Sequence, residues 1–319
     1  MLKEFKTIDE QIDLLKSRGL IIKDEQAAKL YLLTNNYYNI INGYGEFFLK
    51  RGEQYIAGTS FEEIWRLYLF EMEIKQAIFQ AIIAMERHLK AVFAYRFAEA
   101  YPDKPYAYLS IESYDKRSTL DVVKTISSLS KTIQQQSHVH PSSIEHYVQK
   151  YQSVPIWVLV NHIDFGQLRS MLSYAPTKIQ NAVARDMLHF VNQHFTIPRK
   201  NPFTPEIMSS FIANINDVRN VCAHNNRLLR YKCRRDSKYW QPLHAKYKIY
   251  PDSNRSTVFS VFLSLQCFLT VSEYGTMHNK LRKLVHRLDT RVRMLSVKDV
   301  LTELGFPRKW LSSTPKISY

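Results

Sequence analysis

Residues 60–101, SFEEIWRLYLFEMEIKQAIFQAIIAMERHLKAVFAYRFAEAY, decide the fold class of this chain. The stretch after Ser60 contains neither Gly nor Pro, the two residues that most disfavour a helix interior. Apolar residues recur along it at the spacing of one helix face: Ile74, Ile78, Ala81, Met85, Leu89 and Val92. Ser60 and Glu63 match a capping box at its start. The pattern predicts one helix, or a broken pair, about 60 Å long at about 1.5 Å per residue.

Helix signals continue on the N-terminal side of this stretch. Thr7 and Glu10 match a second capping box, and Asp24 is suited to cap another short helix. Residues 103–150 look irregular or weakly helical, and sustained period-2 alternation is absent from the sequence. We therefore predict an all-α protein built as a helical bundle.

The charge of the chain is unevenly distributed. The 319 residues carry 44 Lys and Arg against 29 Asp and Glu, a net charge of +15. Residues 1–160 hold 19 basic and 19 acidic side chains, so the whole excess lies in residues 161–319. With 45% hydrophobic residues the chain can bury a sizeable core, which excludes a disordered or collagen-like protein. A folded basic half favours a polyanionic partner, of which nucleic acid is the commonest.

Localisation signals point to the cytoplasm. The first residues, MLKEFKTIDEQ, lack an apolar stretch behind a charged start, so we expect no signal peptide. The most apolar run, residues 258–271, is shorter than a membrane span and is interrupted by polar side chains. The three cysteines show no CxxC spacing, which predicts neither a disulfide framework nor a zinc finger. We expect a cytoplasmic protein that does not associate with membranes and needs no cofactor.

Three weaker patterns compete for a function. Residues 7–34 have tolerable helix–turn–helix spacing, but Lys29 alone is basic on the second helix, which disfavours DNA binding. His138, His140, Glu145 and His146 are of types that suit zinc, yet a solvated loop is the favoured interpretation. The tyrosines of residues 35–45 could stack on unpaired bases, or could simply close a helix end.

The pattern with the sharpest chemistry lies in a helix that we expect to begin at Thr204-Pro205 and to run through Cys222. At 100° per residue one face is apolar, and the stripe comprises Phe211, Ile215, Val218, Cys222 and Leu229. Asp217, Asn220 and His224 share the opposite face, and Arg219 lies between the two faces. A guanidinium can neutralise a phosphate and an imidazole can move a proton, so this set suits phosphodiester chemistry. An ordinary solvated helix face has the same spacing.

These residues resemble a known family. Arg219-Asn220-x-x-x-His224 matches the R-(N/D/H)-x-x-x-H signature of HEPN ribonucleases, which are all-α and need no metal. Four segments are similar to the Abi-like family of bacterial phage-defence proteins, of the AbiD/AbiF type: TIDEQIDLLKSRGL (7–20), NNYYNIINGYG (35–45), PIWVLVNHIDFGQL (155–168) and NDVRNVCAHNNRLL (216–229). Members of this type look related to the ancestors of type VI CRISPR effectors.

The resemblance implies a HEPN-fold protein of abortive infection that binds RNA, pairs with a structured small non-coding RNA and acts as a toxin. It implies that Arg219 and His224 are catalytic in a metal-independent endoribonuclease, with Asn220 as polar helper and Asp217 in support. Only one such motif is found, so we expect a homodimer. Whether the protein is an enzyme stays open, since it could dock a cognate RNA without cutting it. We expect an N-terminal helical segment (1–55), a HEPN core (56–235) and a basic helical C-terminal region (236–319).

Basic side chains in the second half are the predicted RNA contacts, because phosphates dominate such binding. They are Arg227, Arg230, Lys232, Arg234, Arg235, Lys238, Lys246, Lys248, Arg282, Lys283 and Arg287. Tyr231, Tyr239 and Trp240 are interleaved with them and could stack on bases, or could equally belong to the core.

Overall fold

The structure is a computed structural model that describes residues 4–318. Its α-helices in chain order are α1 (Ile8–Ser17), α2 (Glu25–Asn35), α3 (Phe61–Ala100), α4 (Thr119–Ser137), α5 (Ser143–Tyr151), α6 (Ile156–Leu159), α7 (Phe165–Tyr174), α8 (Thr177–His194), α9 (Pro205–Ala223), α10 (Gln241–His244), α11 (Val258–Ser264), α12 (Val271–Arg291), α13 (Val297–Glu303) and α14 (Trp310–Ser313). The predicted all-α class is confirmed.

Short irregular elements complete the secondary structure. One π-helical turn covers Tyr38–Asn42, and 3₁₀ turns cover Gly45–Phe48, Ala107–Leu109, Ile111–Ser113, Lys116–Ser118, Ala245–Tyr247 and Leu265–Cys267. Strands β1 (Leu49–Arg51) and β2 (Gln54–Tyr55) form an antiparallel hairpin, the one named sheet within residues 4–318. Leu49 pairs with Tyr55, and Arg51 pairs with Gln54. This hairpin directly precedes α3.

The helix starts predicted from the sequence are confirmed. Thr7 and Glu10 form a complete capping box on α1, and the Asp24 carboxylate caps α2 by accepting from the amide of Ala27. Helix α3 is one unbroken helix of 40 residues. At about 1.5 Å per residue this makes it about 60 Å long.

The prediction of irregular or weakly helical structure for residues 103–150 is correct for residues 103–118 and wrong for residues 119–150. They contain helix α4, with 19 residues, and helix α5, which the Ser142 hydroxyl caps by accepting from the Ile144 amide at 3.2 Å. Val122, Thr125 and Leu129 form the buried face of α4. A polar residue in that face and the run of glutamines near its end make the helical period hard to recognise from composition.

The described chain divides into two compact units made of discontinuous segments. The first unit contains residues 4–79, 221–231 and 275–318, and the second contains residues 80–220 and 232–274. Ile12, Phe48, Phe61, Leu228 and Trp310 are among the buried core residues of the first unit. Met85, Phe97, Met171, Phe211 and Phe262 are among those of the second. The three consecutive segments expected from the sequence stay a prediction.

Candidate functional site

Helix α9 ends in a Schellman motif that fixes where His224 lies. The amide of Asn226 donates to the carbonyl of Val221 at 2.9 Å, and that of Asn225 donates to Cys222 at 3.3 Å. Asn225 adopts a left-handed conformation with φ of 53°, a position that Gly or Asn commonly fills. These bonds satisfy carbonyls that a helix end leaves without partners. His224 is therefore the cap residue, and its side chain is exposed.

The chain that follows His224 is anchored by two buried charges on α3. The Lys75 ammonium donates to Asn225 Oδ1 at 2.6 Å and to the carbonyl of Asn226 at 3.3 Å. The carboxylate of Glu71 accepts from the amides of Leu228 at 2.9 Å and Leu229 at 2.8 Å. Lys75 and Glu71, one helical turn apart, are 3.6 Å from each other, and both are buried.

Tyr44 joins a second segment to the same carboxylate. Its hydroxyl donates to Glu71 Oε1 at 2.6 Å, and the ring of Tyr68 packs edge-on against it. Burial raises the pKa of Tyr44 far above its usual value, and the neighbouring Glu71 charge adds to this shift. The phenol therefore stays protonated and able to donate. Through Glu71, the 35–45 and 216–229 segments of the family resemblance are bound together.

Two of the predicted RNA-binding arginines take part in this framework. Arg227 donates to the carbonyl of Gly43 and to Glu46, each at 2.7 Å. Arg230 pairs with Glu46 at 3.0 Å and with Glu303 at 2.9 Å, and it lies over the ring of Phe47. Their charges are thus compensated by carboxylates of the protein, although both side chains are exposed. Their contact with RNA stays a prediction.

Arg219, Asn220 and Asp217 lie on α9 in the second unit, whereas His224 belongs to the first unit, which resumes at Val221. Arg219 is partly exposed, and its Nη1 lies 3.4 Å from Oδ1 of the exposed Asn220. The Asp217 side chain is only 10% exposed, and it accepts from the amide of Arg234 at 3.1 Å. Asp217 therefore orders the segment that follows Cys233.

The apolar stripe predicted for α9 is only partly correct. Phe211, Ile215 and Val218 are fully buried as expected. Cys222 is partly exposed, and Leu229 lies beyond the last helical residue, Ala223. Leu229 is buried as well, but in the segment after the helix, where its amide donates to Glu71. The periodicity of 100° per residue stops applying once the Schellman motif turns the chain.

A basic surface segment, residues 232–248, lies in the second unit. Its exposed cations are Lys232, Arg234, Arg235, Lys238, Lys246 and Lys248. The buried Arg255 holds the segment by donating from Nε to the carbonyl of Ser237 at 2.8 Å and from Nη1 to three carbonyls of residues 250–253. Because the Arg255 guanidinium donates to these main-chain carbonyls, the exposed cations lie on an ordered loop.

The predicted contacts on α12 differ from one another. Arg282 donates to the carbonyls of Leu311 and Thr314, and Arg287 pairs with Glu73. Lys283 is exposed. The two arginines thus attach α12 to its neighbours in the first unit, and Lys283 is the predicted contact with its charge directed to solvent.

Two further sequence patterns are the zinc-type side chains near His140 and the aromatic residue Trp240. His140 contacts Glu145 at 2.8 Å, but within residues 4–318 no group of three or more His, Cys, Asp or Glu side chains could hold a metal. Trp240 is 2% exposed and packs on Phe203, so it belongs to the core and cannot stack on a base. In the same part of the chain, no helix is long and apolar enough to cross a membrane.

The fold and this site define a class: an all-helical protein in which an exposed histidine caps a helix five residues after an arginine. The sequence profile described as Abi-like protein matches residues 30–230, close to two thirds of the chain. The chain belongs to the Abi-like protein family, which is a family of abortive-infection proteins that act in phage defence. Neither the curated proteins nor the solved structures contain a significant match to it.

Proposed function

We propose that this protein is a metal-independent endoribonuclease of HEPN type that acts as a toxin in abortive infection. The observation that carries the proposal is the placement of His224 on an exposed, Schellman-capped helix end. Arg219 precedes it by five residues, the spacing of the HEPN signature. A structured small non-coding RNA is the proposed partner.

In the proposed reaction, the 2′-hydroxyl of a ribose gives up its proton and attacks the adjacent phosphorus. The bond from phosphorus to the 5′-oxygen then breaks, and that oxygen takes up a proton. The products are a 2′,3′-cyclic phosphate and a 5′-hydroxyl end. His224 moves the proton, and the Arg219 guanidinium stabilises the negative charge that develops on the phosphoryl oxygens. Asn220 acts as the polar helper of this pair.

The buried charges of Glu71 and Lys75 support this proposal because removing charges from water is expensive. Such a pair tends to be kept where it fixes a geometry that apolar residues could not fix. Here both partners bind the segment that directly follows His224. A catalytic group needs support of this kind, since a displacement of about 1 Å can lower the rate by about 10²-fold.

The active form is proposed to be a homodimer. Two copies related by a two-fold axis would supply two imidazoles, one to accept a proton and one to donate it. A single copy of the motif has only one. This arrangement also accounts for a chain in which only one R-x4-H motif is found.

Cleavage of a short, unstructured RNA in EDTA by the purified protein tests the proposal. His224→Ala and Arg219→Lys should each lower the rate, for His224→Ala by roughly 10²- to 10⁴-fold. An ammonium cannot reproduce the planar fork of a guanidinium. His286→Ala, which changes another exposed histidine, is the matched control and should keep full activity.

The same samples test whether the active form is a dimer, through the dependence of the cleavage rate on protein concentration. A site shared between two chains makes this rate rise faster than linearly. Full activity of folded His224→Ala would refute the catalytic assignment. Loss of cleavage in EDTA that magnesium restores would refute the metal-independent reaction.

A second function is supported by the exposed cations of residues 232–248. These could bind RNA through its phosphates without any reaction, which would make the protein an RNA-binding module of phage defence. Tight RNA binding by the wild type without any cleavage would favour this alternative.

A further inference from the structure

A cavity of about 310 Å³ opens in the first unit beside the segment that follows His224. Its volume falls at the lower end of the range for ligand sites. The lining residues that matter here are Tyr38, Asn39, Asn42, Lys75, Asn226 and Arg227. The cavity thus joins the 35–45 segment to the turn after α9. Neither the catalytic proposal nor the basic surface uses it.

The walls carry side-chain amides that are not committed elsewhere. Asn42 and Asn226 are exposed, and their side chains make no hydrogen bond to any residue of 4–318. Each amide offers two donor hydrogens and an acceptor oxygen in one plane. Such an edge can pair with two adjacent atoms of a nucleobase, as asparagine does with adenine.

Tyr38 provides a flat apolar surface at the same cavity. Its side chain is 69% exposed, while its amide is fixed by a hydrogen bond to Asn36 Oδ1 at 3.0 Å. It begins the π-helical turn Tyr38–Asn42, an irregularity that is frequent at functional sites. An exposed ring on an ordered backbone is suited to stack on a base.

The charges around the cavity select against a phosphate. Lys75 is paired with Glu71, and Arg227 is paired with Glu46, so neither cation is left uncompensated. A phosphate would compete with these carboxylates for the same donors. A neutral planar group with hydrogen-bonding edges meets no such competition. The lining therefore fits a nucleobase better than an anion.

We infer that this cavity receives one unpaired nucleobase of the bound RNA, stacked on Tyr38 and read by the amides of Asn42 and Asn226. Asn225 also lines the cavity and follows His224 directly, with their Cα atoms about 3.8 Å apart, so a base held here places its own nucleotide beside the histidine. The cavity would then choose which phosphodiester is presented. The inference rests on the proposed function and adds a specificity site to it.

The inference is tested by measuring, at fixed salt concentration, the binding affinity of four labelled 2′-O-methyl RNA 12-mers. Each 12-mer contains a single kind of base. Methylation blocks the attacking hydroxyl, so binding is measured without cleavage. Phosphate contacts are the same for all four oligomers, whereas base contacts are not. Tyr38→Ala should weaken binding of the preferred oligomer by roughly 5- to 150-fold, the range expected for the loss of one stacked base. Tyr38→Phe keeps the ring and should bind normally.

The double substitution Asn42→Ala/Asn226→Ala should reduce the differences in binding affinity among the four oligomers. Tyr151→Ala removes another exposed tyrosine, which is 55% exposed and lies outside the cavity, and should have no effect. Equal binding by wild type, Tyr38→Ala and the double variant would overturn the inference and leave the proposed function intact. Failure of the wild type to bind any RNA would overturn both.

Discussion

Glu71 anchors the segment that follows His224, and the substitution Glu71→Gln removes its charge with almost no change of shape. The carboxylate accepts three hydrogen bonds, from Tyr44, Leu228 and Leu229, and it is the counter-ion of Lys75. An amide has a single acceptor oxygen, so at least one of these donors loses its partner. The buried ammonium also loses its compensating charge. Breaking a buried pair in this way costs about 3–5 kcal/mol.

A double-mutant cycle separates the charge effect from the loss of hydrogen bonds. Lys75→Met alone should also destabilise the protein, because a buried carboxylate is left without its cation. The double variant Glu71→Gln/Lys75→Met leaves no buried charge, so its cost should be less than the sum by about 1–3 kcal/mol. Urea unfolding followed by circular dichroism measures the three values. Hydrogen exchange of the Leu228 and Leu229 amides reports directly on the segment that they anchor.

Glu73→Gln is the control for this cycle. Glu73 is a carboxylate on the same helix, paired with Arg287, and both side chains are about one third exposed. Its loss should cost at most about 1 kcal/mol. The reasoning is refuted if Glu71→Gln costs no more than Glu73→Gln, or if the two single variants add without coupling.

Two further predictions concern charge and pH. The double substitution Arg234→Gln/Arg235→Gln should weaken RNA binding for all sequences alike. It should also lower the slope of log binding constant against log salt concentration by about two, which titration at several salt concentrations measures. An unchanged slope would show that this segment does not contact RNA phosphates. Burial lowers the pKa of His244 to about 4. Between pH 6.5, its ordinary pKa, and pH 4, the imidazole is therefore protonated in the unfolded chain but neutral in the folded chain. Stability should be full above pH 6.5 and fall toward pH 4, by about 2 kcal/mol between pH 7.5 and 5, and urea unfolding of His244→Gln should show a smaller fall.

The local features of this fold could be predicted from the sequence because they depend on neighbouring residues. Caps at Thr7, Asp24 and Thr204 need only side chains within three positions, and all three begin helices as expected. The same approach failed for α4, whose buried face includes Thr125, and for Leu229, where the helical period was extended beyond the helix end.

The roles of Glu71 and Lys75, and the bond of Tyr44 to Glu71, could not be predicted from the sequence because the partners are far away along the chain. Lys75 and Asn225 are separated by 150 positions, and no local spacing connects them. One signal was present: at 100° per residue, the opposite charges of Glu71 and Lys75 fall on the apolar face of the helix, together with Leu67 and Ile78. Charged residues in such a helix must be buried in part, and buried charges need partners.

By itself the sequence determined the all-α class, the starts of the main helices, the excess positive charge of the second half and the membership of the Abi-like family. The first three follow from composition and from short-range spacing, and the family follows from the similarity of residues 30–230 to the Abi-like profile. Only the tertiary structure decided which cations are exposed and which are bound: Arg234 faces solvent, whereas Arg227 holds Gly43 and Glu46. It also decided that a buried carboxylate anchors the chain after His224. The physical reason is that burial and long-range hydrogen bonds depend on which segments pack together, and spacing along the chain does not encode that.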